Sequence, residues 1–351
     1  MEGNDRYERD GNRRGQLYMS ALLRGFTAPN VAAMGLGPPA APTNPAAVAG
    51  VISVSVSWTA SAGATSYNLY RSTTSGAETL YQTGVTSPYS DTSVTDGVTY
   101  YYKVSAVGPG GESSLSSEAS AKFWGLTESL ISYWKLEEAS GSRADSFGTN
   151  TLTDNNTVTQ QTGKLGSCAQ FTSLNTEYLS RADNASLRIN ESSFTLSAWI
   201  YADTISVFPA ILCKNASGNP DSRDEFASYI NSVNNKLTFY VVYDTNVSKG
   251  IESSETLSTG TWYHIILWRD ATGLTLNIKI NNGTATTVAI TGVTATNANT
   301  QPFVIGTYGS TQLPFNGRID SVGFWKRVLT AAEHTALYNS GSGRAITGTE
   351  P

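Results

Sequence analysis

Charge is scarce in this sequence: Asp, Glu, Lys and Arg make up 15% of its 351 residues. Few segments therefore carry the Ala/Leu/Glu/Lys mixture that sustains helices, and a mainly helical fold is not expected. The charges sum to −5 at neutral pH, and no basic stripe runs through residues 39–351. Nucleic acid needs such a stripe to neutralise its phosphates, so it is not an expected partner. No apolar run reaches membrane-spanning length, so membrane insertion is not expected either. The opening MEGNDRYERDGNRRGQ carries both signs of charge, and the apolar piece behind it is broken by Ser20, Arg24 and Gly25. It does not read as a secretory leader. Two cysteines are too few for a disulfide scaffold. Cys168 and Cys213 read as buried free thiols, with a disulfide as the alternative should their strands adjoin. Neither has a partner set for zinc.

Gly, Ser, Thr, Asn and aromatic residues are abundant, the mixture of strands and turns. The length suggests two domains plus extras. Residues 1–38 read as an arm and linker. Tyr18, Met19, Leu22, Leu23 and Phe26 form a helical stripe too short to be stable alone, followed by a tether rich in Pro, Gly and Ala. The arm reads either as a disordered leader or as a docking peptide that orders on a partner. From 39 to 123 short strands alternate with turns: VISVSVSW, YNLYRS and TYYYKVSAV, with GPGGES as the last hairpin turn. Val94, Tyr100, Tyr102, Val104 and Ala106 share one parity and so one face. From 124 to 345 the strands are longer and more numerous, and 346–351 form a tail. In SFTLSAWIY, Phe194, Leu196, Ala198 and Ile200 share one face while Thr195, Ser197, Trp199 and Tyr201 share the other. Bulk on both faces places that strand centrally in a layered sandwich. In FNGRIDSVGFWKRVLTAAEHTALY, Asp320, Val322 and Phe324 share a parity, which puts a carboxylate at the entrance to an apolar interior. Thr330 and Glu333 then form a capping box for a short helix that Gly341 is expected to stop. The fold class is all-β: two successive sandwiches behind an N-terminal arm.

The first strand segment, with Trp58 in its second strand and the spaced Val94 and Tyr100, resembles a fibronectin type III domain. Its tyrosine corner would fall on Tyr100, and its role is that of a spacer. The later pieces YWKLEE, DSFGTNTLTD, FTLSAWIY, GTWYHIILWRD, LNIKINNG, FVIGTYG and FNGRIDSVGFWKRVLT occur in the order of the laminin-G-like, concanavalin A-like jelly rolls, which this region resembles. That resemblance implies one structural calcium ion, carried over to Asp145 and Asp320 with backbone carbonyls completing the shell. The alternative is that Asp320 accepts backbone amides and Asp145 caps a turn. It also suggests sugars, for which the loops offer Phe208, Phe226, Tyr243 with Asp244, and Tyr308.

Catalysis is not expected. Hydrolases on this jelly roll carry acids in an E-x-D-x-x-E string, which is absent here; Glu137 and Glu138 are adjacent and leave a strand on opposite faces. Of the two histidines, His264 lies within a strand and His334 on the short helix, neither beside an evident nucleophile. The arrangement of arm, fibronectin-like and lectin-like modules resembles bacteriophage virion surface proteins. It implies a non-enzymatic capsid decoration, fibre or tail protein: residues 1–38 dock on other virion proteins, and the jelly roll displays itself to host-surface glycans. A homo-oligomer is compatible with such a place. The alternative is a secreted or cell-surface carbohydrate-binding protein, or part of an extracellular glycan-processing enzyme.

Overall fold

The computed structural model describes residues 37–215, 225–243, 247–292, 300–309 and 312–346. The arm stripe Tyr18, Met19, Leu22, Leu23 and Phe26 lies outside the described residues, as does Asp244. The fold is all-β, with one short α-helix among the described residues. The described residues divide into two compact units: those up to Val48 with Val54–Asp91 and Thr99–Ala121, and Ala49–Ser53 with Thr92–Val98 and those from Lys122 on.

In the first unit, β1 (Thr43–Ala49), β2 (Val54–Thr59) and β5 (Tyr89–Asp91) make a three-stranded sheet. A second sheet holds β4 (Thr79–Val85), β3 (Ser66–Ser72), β6 (Thr99–Gly108) and β7 (Gly111–Glu112) in that order, with β8 (Ala119–Lys122) paired to β6. Val54, Val56 and Trp58 alternate inward from β2 to meet Leu69 and the even-numbered face of β6, Tyr100 to Ala106. Val94 precedes that strand rather than belonging to it. A buried Asp91 carboxylate accepts from Arg71 Nη1 at 2.8 Å, Tyr81 Oη at 3.0 Å and Tyr102 Oη at 2.8 Å, so the charge is fully solvated by the protein.

The second unit is a sandwich. One sheet runs β10 (Thr153–Asn155), β13 (Tyr178–Arg181), β22 (Phe303–Ile305), β15 (Ala210–Lys214), β16 (Phe226–Asn231), β17 (Lys236–Tyr243) and β18 (Val247–Thr256). The other runs β11 (Thr159–Thr162), β12 (Ser167–Phe171), β23 (Asn316–Trp325), β14 (Phe194–Thr204), β19 (Trp262–Asp270), β20 (Thr275–Ile280) and β21 (Thr286–Ala289), with β9 (Leu130–Trp134) also paired to β23. The core lies between them. As its double-sided pattern requires, β14 is central: Phe194, Leu196, Ala198 and Ile200 enter the core, and Trp199 on the other face stacks on Tyr338 of helix α1 (Ala331–Tyr338). The Thr330–Glu333 capping box forms as expected, but the helix ends at Asn339, which takes the left-handed conformation at φ 46°, two residues before Gly341.

The parity expected for β23 is broken. Ser197 pairs with Gly323 and Trp199 with Asp320, so two residues of β23 oppose Ala198 alone, and Ser321 adopts φ 54°. This β-bulge turns Asp320 outward while Ile319, Val322 and Phe324 all face the core. Cys168 and Cys213 are buried, lie on different sheets and are not joined by a disulfide.

Phe194 is a hub of the core, with ring centroids 5.4, 6.2 and 6.1 Å from those of Phe226, Phe239 and Phe324. Phe194→Ala should cost about 3–5 kcal/mol of unfolding free energy, read from the urea midpoint, and Phe194→Leu well under half of that.

Candidate functional site

The outer face of the seven-stranded sheet is built in lateral rows. Tyr229, Thr238 and Glu252 pair across β16, β17 and β18; the next row is Cys213, Ala227, Tyr240 and Gly250. Odd–even alternation sends Leu237, Phe239, Val241 and Tyr243 to the core, which leaves Tyr240 outside. The small neighbours Cys213 and Ala227 leave room for large rings to lie across the sheet. Tyr240 Oη reaches Tyr308 Oη at 3.1 Å, and the two rings join Ala210, Cys213, Ala227, Tyr229 and Leu313 in a packed outer layer. Phe208 meets Tyr229 edge-on at 5.8 Å and 81°, and Tyr229 meets Tyr240 at 6.4 Å and 63°. Phe208, Tyr229 and Tyr240 remain half-buried, so part of each ring faces solvent.

Polar groups flank these rings. Glu252 accepts from Asn231 Nδ2 at 2.6 Å and Asn234 Nδ2 at 3.1 Å. The bond from Asn231 is the main reason its carboxyl lies below the usual range. Burial raises the Tyr229 phenol, and the Glu252 charge adds to the effect. Beside Tyr308, the buried Asn215 accepts Gly309 N–H at 3.0 Å, while its Nδ2 finds no partner among the described residues. An unspent buried amide donor costs free energy unless something else accepts it. Apolar ring faces beside amides and a carboxylate can take the C–H face of a sugar and its hydroxyls.

Of the aromatics expected at the surface, Phe208 and Tyr308 both join this layer, but Tyr308 is itself buried and only Phe208 keeps part of its ring in solvent. Phe226 and Tyr243 do not join it: they are 0% and 1% exposed, because each sits on the inward parity of its strand. Tyr229, Tyr240 and Glu252 were not singled out in sequence. The signal was present, since once the alternate residues of KLTFYVVY are given to the core, Tyr240 must face away from it.

The expected calcium ligands do not fit a cation. Asp145 Oδ1 accepts the amides of Tyr133, Phe147 and Gly148 at 3.0, 3.1 and 2.9 Å, and Oδ2 that of Asn150 at 2.9 Å. Asp320 Oδ2 accepts Lys164 and Leu165 amides at 2.7 and 2.8 Å, and Oδ1 the Ser321 hydroxyl at 2.7 Å. Donor hydrogens, not further oxygens, surround both carboxylates, and no three His, Cys, Asp or Glu residues gather as a metal set among the described residues. Asp145 caps its turn and Asp320 pins the Gly163–Gly166 turn. That turn is tight, since a Cβ on Gly163 would lie 2.5 Å from Asp320 Oδ2. His264 Nε2 lies 2.8 Å from Ser197 Oγ, but both are buried and His264 Nδ1 has no partner among the described residues. Burial holds His264 down to about 3, so the ring is neutral and packed, without the acid that orients a catalytic histidine.

Burial pushes the Asp320 carboxyl up to about 6, against the pull of the Leu165 amide, the Ser321 hydroxyl and the Lys164 amide. A carboxyl raised in the folded state stabilises the fold below its unfolded value, and that stability is lost as pH rises through the folded value. The free-energy advantage of Asp320→Asn over wild type should therefore grow by ~2–3 kcal/mol between pH 4 and 6.5, in urea unfolding series at each pH. A difference flat in pH would contradict this.

No protein of curated function matches the sequence. Residues 175–333 match the model of the concanavalin A-like lectin/glucanases superfamily. The binding domain of Paraclostridial Mosquitocidal Protein 1 is similar over 61% of this chain at 16% identity, with a TM-score of 0.51. This chain covers 52% of that one, about half its length. Domain 4 of AbnA, an extracellular arabinanase from Geobacillus stearothermophilus solved with arabinotriose, is 16% identical over 59% of this chain and 96% of its own, with a TM-score of 0.45. An Fn3-like protein from Clostridium thermocellum is 42% identical over 26% of this chain and 98% of its own, with a TM-score of 0.23. With the sandwich topology above, residues 175–333 are identified as a concanavalin A-like jelly-roll domain.

Proposed function

We propose that this protein is a non-enzymatic adhesion protein that holds glycans on the outer face of its seven-stranded sheet. The observation carrying this is the convergence there of Phe208, Tyr229 and Tyr240 with the Glu252 amide cluster, on a fold whose superfamily includes lectins. The buried, acid-free Ser197–His264 pair supports a non-catalytic role. In the finer reading, residues 1–38 plant the protein on other components of a bacteriophage virion, 39–123 form a fibronectin type III spacer, and 124–345 point outward. Supporting this are the apolar stripe in the sequence of the arm, of the kind a docking peptide lays on a partner, and the succession of surface-type modules. The competing reading is a secreted or cell-surface carbohydrate-binding protein, which needs the same face but no particle.

On an immobilised glycan panel that includes arabinotriose, the full chain should retain at least one neutral oligosaccharide. Tyr229→Ala and Tyr240→Ala should each weaken it about tenfold, or ~1.4 kcal/mol, with the circular dichroism spectrum unchanged. Binding indifferent to both changes would remove the face from consideration. Deleting residues 1–38 should leave sugar binding intact and abolish incorporation into particles; incorporation of the truncated protein would defeat the virion reading.

A further inference from the structure

The opposite sheet carries a second organised row. Gln170, Arg318, Tyr201 and Trp262 stand in register on β12, β23, β14 and β19, four adjoining strands. Arg318 Nε donates to Gln170 Oε1 at 3.2 Å, and the guanidinium carbon lies 4.5 Å from the Tyr201 ring centroid. The Tyr201 and Trp262 centroids are 5.5 Å apart at 55°. All four side chains are half-buried, so each planar group is braced by the next yet still reached by solvent.

Cross-strand bracing alone would account for the contacts, but not for what is left over. The terminal nitrogens of Arg318, the Tyr201 hydroxyl and the Trp262 indole N–H make no hydrogen bond or ion pair within the described residues, and none is among the buried unsatisfied atoms. Asp203, an exposed carboxylate two residues along from Tyr201, accepts Gln170 Nε2 at 3.0 Å, and Asp320 is spent on its turn. One row along, the Lys164 ammonium lies 4.9 Å from the Trp199 ring. The free groups of Arg318, Tyr201 and Trp262 can thus all donate, in line, beside two aromatic faces. A planar anion matches a guanidinium fork in two parallel bonds, and a sugar ring's C–H face matches the aromatics.

We infer that the Arg318–Tyr201–Trp262 row is a second saccharide site, selective for sugars bearing a carboxylate. The sugar ring lies on Tyr201 and Trp262, and its carboxylate takes the open end of the Arg318 fork. This site does not depend on the glycan reading of the seven-stranded sheet, since no residue is shared.

The test titrates the full chain by calorimetry with trigalacturonic acid, a glucuronate-terminated disaccharide and sialyllactose, each against its uncharged counterpart. At least one acidic sugar should bind tenfold or more tightly than that counterpart. Arg318→Lys, which keeps the charge and loses the fork, should cost it about tenfold, as should Trp262→Ala. The Tyr229→Ala/Tyr240→Ala double variant should bind it as wild type does. Equal binding of acidic and neutral sugars, wild-type affinity in Arg318→Lys, or no acidic sugar bound at millimolar concentration would each overturn the inference. If Trp262→Ala fails to fold, Arg318→Lys and Trp262→Phe decide.

Discussion

At Ser321 one strand holds a residue more than its neighbour can pair, and the placement of chemistry in the jelly roll follows from that surplus. Without the bulge, the period-two alternation of β23 would force a choice. Either Ile319 or the pair Val322 and Phe324 would have to leave the core. With it, both halves of the strand bury their apolar side chains, while Asp320 and Arg318 emerge on the far side. The carboxylate so expelled is still kept from water, because the Gly163–Gly166 turn folds over it and donates two amides. The bulge, the buried acid and the tight turn are one interlocked device, and it fixes the neighbourhood in which Arg318 meets Tyr201.

Much of the scaffold was legible in the residues. Phe194 to Tyr201 alternate so strongly that both faces of β14 could be assigned, and the Thr330–Glu333 spacing announced a helix start that the structure bears out. Those signals are local, set by strand period and by capping geometry. The bulge was not legible, because nothing in IDSVGF says which residue will be left unpaired; that is decided by β14 across the sheet. Their place beside loops suggests Phe226 and Tyr243 as surface aromatics, yet parity against the opposing sheet draws them inside. Phe208 and Tyr308 lie 100 residues apart in the chain, so their proximity to Tyr229 and Tyr240 depends on strand order, to which sequence spacing is blind.

The two outer faces differ in what they leave unspent. On the seven-stranded sheet, small side chains at Cys213 and Ala227 let tyrosines recline, and a carboxylate with its amides stands alongside. On the eight-stranded sheet the half-buried row sets a guanidinium over one aromatic ring and a second ring tilted against the first. Similar backbone geometry thus presents tyrosine rings beside an amide-braced carboxylate on one side, and a guanidinium beside two aromatic rings on the other. The difference arises wholly from which residue types occupy the outward parity.

Cys213 lies in the floor beneath Tyr240 and Tyr308, fully buried and unbridged. An alkylating reagent can reach its sulfur only when the rings above it lift, so labelling speed is a clock for the opening of that layer. The other thiol adds little background, because burial pushes Cys168 up to about 12 and holds it in the unreactive protonated form. The protein therefore carries its own occupancy gauge: whatever settles over those tyrosines slows the clock, with no foreign probe attached.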